Sequence, residues 1–312
     1  MATNTNTDNG EGLELLPPET VAILERTPFK ARGFMEGFVT GRHRSPHKGQ
    51  SVEFVQHRPY VPGDDIRNLD WNVLARSDRY FIRQYVEETN LRATVLLDAS
   101  ASMSYRGQQA ASQNGVALSK FEYARYLAAA FAYLMVRQQE SVGLVTFDRQ
   151  IRQYLPGASR ASQLRLLLAE MDRTQPGDET DLAPVLHEIA ERVHRRGLIV
   201  LISDLFDRAE EIVNALHHFR HRQHEVVVLH VMAEEELDFP FKGVHRFRNL
   251  EKAGHDVTLD PYTLKAAYLE RLRVFLETVR GGCGELRVDY VPLSTATPYG
   301  QVLADYLSVR PA

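Results

Sequence analysis

The chain is poor in the features that would assign it at a glance. Among its 312 residues there is one cysteine, Cys283, and one tryptophan, Trp71. A lone thiol excludes an intramolecular disulfide, and with it a disulfide-stapled scaffold, so a reducing cytoplasm is the expected location. No apolar run approaches the roughly eighteen residues that a membrane-crossing helix needs. The opening M-A-T-N-T-N-T-D-N-G-E-G lacks the basic and apolar regions of a signal peptide and reads as a disordered tail over residues 1–16. A net charge of −4 leaves no whole-protein electrostatic case for binding nucleic acid. The patterns G-x-x-x-x-G-K-[ST] and G-x-S-x-G are both missing, which excludes a P-loop and a nucleophile elbow. There is no internal repeat.

What is present is an ordinary globular composition, 44% hydrophobic and 25% charged, long enough for one large α/β domain with a smaller companion. Residues 17–27 predict a short helix with proline at its start. Residues 31–49 are rich in Gly, Arg and His and read as a locally basic loop or irregular hairpin, and two β-type runs follow, from 51 and from 79. Residues 17–90 therefore make a helix and a β-rich subdomain. From 91 to 312 strands and helices alternate. Apolar β runs at 94–97, 141–147, 198–203 and 225–231 lack the polar alternation of a half-exposed strand, and predicted helices at 120–138, 162–171, 181–195, 209–221 and 261–279 separate or follow them. Gly281 and Gly282 end the last of these, Cys283 falls in the turn after it, a last strand covers 285–291 and a closing helix 299–308. Residues 232–259, with E-E-E-L-D-F-P-F, are an irregular excursion. Buried strands alternating with helices imply a doubly wound, mainly parallel sheet.

In such a sheet ligands bind at the carboxyl ends of the strands, where strand order reverses. Two predicted strands run into an aspartate: 94–97 into Asp98, within D-A-S-A-S, and 198–203 into Asp204. Thr180 lies on a loop before a helix, on the same side of the layer. Asp98, Ser100, Ser102, Thr180 and Asp204 thus converge on one edge. Carboxylates and hydroxyls are hard oxygen donors, suited to Mg²⁺, with Mn²⁺ or Ca²⁺ as substitutes. Taken singly, Thr180 and Asp204 are also simple helix caps. Asp178, Glu179 and Asp181 flank Thr180 and serve either purpose. A second polar cluster, Asp64, Asp65, Arg67, Asp70 and Trp71, reads either as a partner-binding face or as a buried salt-bridge turn anchored by the tryptophan. The histidine-rich run 216–224 marks the exposed end of a helix, where cations suit the dipole.

D-A-S-A-S, then T-D-L, then I-S-D resemble the metal-ion-dependent adhesion site of von Willebrand factor A domains. That resemblance implies that Ser100, Ser102 and Thr180 offer hydroxyls to Mg²⁺ while Asp98 and Asp204 act mainly through bound water. Leu205 stands where many A domains have glycine. The upstream block E-F-V-Q-H-R-P-Y-V-P-G-D-D-I-R-N-L-D-W-N-V-L-A-R, with the later D-F-P-F and the helix containing Tyr268, resembles the bacterial family known as domain of unknown function 58, from about residue 30 to the end. It implies a von Willebrand factor A-like domain with an N-terminal β extension, working beside a MoxR-type AAA+ ATPase. Neutral hydroxyls around a hard dication leave it under-neutralised, so an open position favours a carboxylate from a partner's Asp or Glu. The function expected is divalent-cation-dependent protein binding, as an adaptor in maturation or assembly of other proteins. The competing expectations are a metal-dependent phosphotransferase or hydrolase using Asp98, and a scaffold without metal.

Overall fold

In the computed structural model the described residues are 15–18, 20–22, 52–61, 69–77, 79–87, 91–113, 116–177, 181–247, 249–250, 256–259 and 261–302. The chain divides by contact density into residues 36–90 and residues 1–35 with 91–312.

In the smaller unit, β1 (Val52–Pro59) pairs antiparallel with β2 (Phe81–Glu87), with a bulge between Phe54 and Gln56. Between them runs the short helix α1 (Trp71–Ser77). Asp70 organises its start: Oδ1 accepts from the backbone N–H of Asn72 at 2.9 Å, and Oδ2 accepts from His57 Nε2 at 2.8 Å. Trp71 is 62% exposed, contrary to the buried-turn expectation. The pairing of Asp70 with His57 and the helix backbone holds the turn instead. Asp64, Asp65 and Arg67 lie outside the described residues.

The larger unit runs β3 (Arg92–Asp98), α2 (Lys120–Arg137), β4 (Ser141–Phe147), β5 (Ile151–Ala158), α3 (Ala161–Arg173), α4 (Leu182–Arg192), β6 (Leu198–Ser203), α5 (Ala209–His221), β7 (Glu225–Met232), α6 (Glu234–Asp238), a hairpin of β8 (His245–Phe247) and β9 (Val257–Leu259), α7 (Pro261–Glu285) and β10 (Asp289–Ser294). Six strands form one sheet in the order β10-β7-β6-β3-β4-β5, parallel except for the edge strand β5. The strands are apolar without polar alternation, rich in Val, Ile and Leu, because both faces of the sheet are covered. Val95 and Leu97 face one core with α2 and α3; Leu96 faces the other with α4, α5 and α7. β5 sits so close to β4 that a Cβ on Gly143 would meet the Leu155 carbonyl oxygen at 2.7 Å, which is why glycine stands there.

Three expectations fail at the C-terminal side. α7 continues through Gly281, Gly282 and Gly284 to Glu285 instead of ending at 279. A Cβ on Gly282 would meet Val213 at 2.5 Å, so Gly282 serves close packing of α7 on α5, and that tertiary contact outweighs the weak helix propensity of glycine. Cys283 consequently lies inside the helix and the core, where burial pushes its thiol up to about 11. The final strand is displaced to Asp289–Ser294. The histidine run also splits: His217 and His221 are exposed, whereas His224 is buried against the Val193 carbonyl. Among the described residues no helix is long and apolar enough to cross a membrane.

Candidate functional site

Strand order reverses at β3, whose neighbours are β4 on one side and β6 on the other. Asp98 ends β3, and Asp204 follows the last residue of β6. Both apolar strands stop at the sheet edge, and the chain turns there with its polar residues. Asp98 is completely buried. Its Oδ1 accepts from the Ser100 N–H at 2.9 Å, and its Oδ2 accepts from the Ser203 hydroxyl at 2.5 Å. Burial, reinforced by the neighbouring Asp204 carboxylate, pushes the Asp98 carboxyl up to about 7. Ser100 and Ser102, both buried, stand with their Oγ atoms 3.1 Å apart.

Asp204 is engaged from the other side. The Lys120 ammonium, whose side chain is 3% exposed, lies 2.7 Å from Asp204 Oδ2 and 2.7 Å from Glu236 Oε1. Burial works against its charge, but the two carboxylates outweigh burial and hold its pKa above the ordinary lysine value. Lys120 is the first residue of α2, placed there by a capping box in which Ser119 Oγ accepts from the Glu122 N–H and the Glu122 carboxylate accepts from the Ser119 N–H. His230 on β7 donates from Nε2 to the Asp204 carbonyl at 3.0 Å. Its Nδ1 must then accept from the Tyr290 hydroxyl at 2.7 Å, which fixes a neutral tautomer. Burial pushes this imidazole down to about 4.

The structure therefore brings Asp98, Ser100, Ser102 and Asp204 to one edge; Thr180 lies outside the described residues. Among the described residues no group of three His, Cys, Asp or Glu side chains is placed to hold a metal, so a cation here would lean on hydroxyl oxygens. Two ligands at adjacent corners of an octahedron with bonds of about 2.1 Å stand about 3.0 Å apart. The Ser100 and Ser102 hydroxyls, hydrogen-bonded to each other at 3.1 Å, stand at a separation that also matches that edge. Two carboxylates, Asp204 and Glu236, share the Lys120 ammonium, and the Asp98 carboxyl, a neighbour of Asp204, is held by Ser100 and Ser203 instead.

A family model described as "Protein of unknown function DUF58" matches residues 56–273. The chain belongs to the DUF58 family. Uncharacterized protein Rv1480 of Mycobacterium tuberculosis and Uncharacterized protein Mb1516 of Mycobacterium bovis are each 26% identical to it over 277 residues, covering 86% of this chain and 83% of theirs. Among solved structures, the conserved hypothetical protein BatB from Bacteroides thetaiotaomicron is similar at 18% identity and a TM-score of 0.45, over 70% of this chain and 98% of that one. An aerotolerance-related membrane protein from Bacteroides fragilis gives the same values.

Several residues that build the site in this DUF58 chain have no motif to announce them. On α6, Glu236 holds Lys120, and its other oxygen accepts from the Ala233 N–H. Glu235, buried, accepts from the N–H groups of Gln108 and Gln109 through Oε1, and Glu234 accepts from the Ser294 hydroxyl. The acidic run that reads as an irregular excursion is thus a clamp between the D-x-S-x-S turn, α2 and β10. Asp207 accepts from the N–H groups of Leu182 and Ala183 at the start of α4, where the Asp181 side chain makes no cap hydrogen bond. One signal was available for Lys120: a cation opening a helix opposes the dipole, which marks an acidic partner nearby.

Proposed function

We propose that the chain is a protein-binding module whose docking point is a divalent cation at the switch point of a von Willebrand factor A-like sheet. Ser100, Ser102 and Thr180 supply hydroxyls to the ion, and Asp98 and Asp204 act mainly through bound water. Support for the A-like reading comes from five parallel strands with one antiparallel edge and from D-x-S-x-S at the end of a central strand. The observation that carries the metal reading is the buried Ser100–Ser102 hydroxyl pair at octahedral spacing, beside a carboxyl that burial and Asp204 make difficult to ionise. A dication relieves that cost, as no monovalent group of the site does. Mg²⁺ suits the spacing, with Mn²⁺ close in size. Bound in this way the ion keeps a Lewis-acid position for an incoming Asp or Glu of a partner. The family resemblance supports a MoxR-type AAA+ ATPase as that partner, in maturation or assembly of other proteins.

A hydrolase or phosphotransferase using Asp98 as nucleophile is the weaker reading. Both of its oxygens already accept hydrogen bonds and neither reaches the surface.

Calorimetric titration of Mg²⁺ and Mn²⁺ into the full chain tests the proposal. Binding by wild type should weaken by roughly 10–100-fold or more in Asp98→Ala and in Ser100→Ala. A wild type that takes up neither ion at millimolar concentration sinks the metal-bridged mechanism.

A further inference from the structure

Beside Asp204 opens a cavity of about 500 Å³, a size typical of ligand pockets. Its wall includes Asp204 itself, Phe206, Met232, Tyr268, Leu272 and Phe275, so one carboxylate belongs both to the candidate cation site and to a largely apolar hollow. The chain shapes the mouth at some conformational cost. Leu205 is fully buried with φ of +52°, a left-handed conformation that a side-chain-bearing residue adopts only when its surroundings impose it. Its N–H donates to the Ser203 hydroxyl, the same hydroxyl that holds Asp98. The strained turn sends the next side chain outward: Phe206 is 64% exposed, at the rim. An exposed aromatic beside an open apolar hollow is a surface that lacks its partner.

The charges at this mouth restrict the partner further. Lys120, in the cavity wall, is already neutralised by Asp204 and Glu236. Arg208 pairs with Glu211. Arg271, exposed on α7 at the cavity rim, has no ion pair among the described residues. The wall also carries Asp207 and Glu236, so its cations and carboxylates balance, and the hollow suits an uncharged bulky group.

We propose that this cavity receives a large apolar side chain adjoining the partner's docking carboxylate, so that the recognised segment is an acidic residue next to an aromatic or large aliphatic one. This rests on the cation-bridged reading above and supplies the specificity that a bare cation–carboxylate contact lacks.

The test uses the full chain with three capped tetrapeptides, Gly-Asp-Phe-Gly, Gly-Asp-Gly-Gly and Gly-Asn-Phe-Gly, titrated by peptide-observed NMR with Mg²⁺ or with chelator. With Mg²⁺ the Asp-Phe peptide should bind about 10-fold or more tightly than the Asp-Gly peptide, as burial of a phenyl group implies. The Asn-Phe peptide and the chelator should each abolish most of that binding. Phe206→Ala, at an exposed position that the fold does not need, should reduce the Asp-Phe preference and leave Mg²⁺ uptake by the free chain unchanged. Equal, Mg²⁺-dependent binding of both Asp peptides overturns the cavity assignment and leaves the cation-bridged reading standing. A phenyl preference indifferent to Mg²⁺ and to Asn overturns the joined site and removes the cation-bridged reading with it. No binding by any peptide, where Mg²⁺ itself binds, overturns the cavity assignment alone.

Discussion

Asp98 carries the tension of the site in a single proton. A carboxyl of this type ordinarily titrates at 3.8, whereas in the fold burial, together with Asp204, moves it to about 7. Between those values the folded chain holds a proton that the unfolded chain releases, so Asp98 reduces stability progressively as pH rises through the window and no further above it. His230 acts in the opposite sense: burial takes it from 6.5 to about 4, so its contribution is complete above 6.5 and is lost as pH falls toward 4. Comparison of wild type with Asp98→Asn cancels the histidine. The melting temperature of wild type relative to the variant should fall by on the order of a few degrees between pH 4 and pH 7 and then level off. Saturating Mg²⁺ should flatten that slope, because the ion competes with the proton for the same carboxylate. A difference that stays constant with pH would show that Asp98 titrates like an ordinary surface carboxyl.

At the scale of elements, the least conspicuous helix has the most to hold. α6 is five residues long, and each of its three glutamates ends on a different part of the fold: Ser294 on β10, the turn at Gln108 and Gln109, and Lys120 on α2. The Glu235 carboxylate takes two backbone N–H groups of the turn that follows D-x-S-x-S, and hydrogen bonds to an ionised acceptor contribute about 1.5–3 kcal/mol. Glu235→Ala should therefore speed hydrogen exchange at Gln108 and Gln109 by about 10-fold or more. Glu235→Gln keeps the accepting oxygen and should change it much less, a contrast that exchange mass spectrometry reads directly. Equal exchange in both variants would mean that the turn is held by something other than the clamp.

Over the whole molecule, the two faces of the sheet are closed by two apolar clusters, and among the described residues neither takes a member from 36–90. A chain in which residues 36–90 give way to a flexible Gly/Ser linker of the same length should keep its far-UV circular dichroism signature of mixed α/β structure. It should also unfold in one cooperative step within about 5 °C of the parent. Loss of that transition would show that the sheet depends on the smaller unit.

The amino-acid sequence by itself determined where the buried strands lie, because a short run of Val, Ile and Leu without polar alternation suits a sheet covered on both faces. It determined as well that Asp98 and Asp204 stand at the same edge, since each ends such a run. The long helix α2 was legible from apolar residues spread around its circumference. What surrounds those carboxylates was settled only in three dimensions. Ser203 reaches Asp98 across 105 positions of chain, Lys120 reaches Asp204 across 84, and Glu236 reaches Lys120 across 116. Propensity and periodicity act over a few residues and carry no information at such separations. The expectation that Gly281 and Gly282 end the helix failed on the same ground: the close approach of Gly282 to Val213 offset the poor helix propensity of glycine. Local chemistry chose the oxygen atoms at the sheet edge, and tertiary packing decided which of them are buried and which are paired with an ammonium.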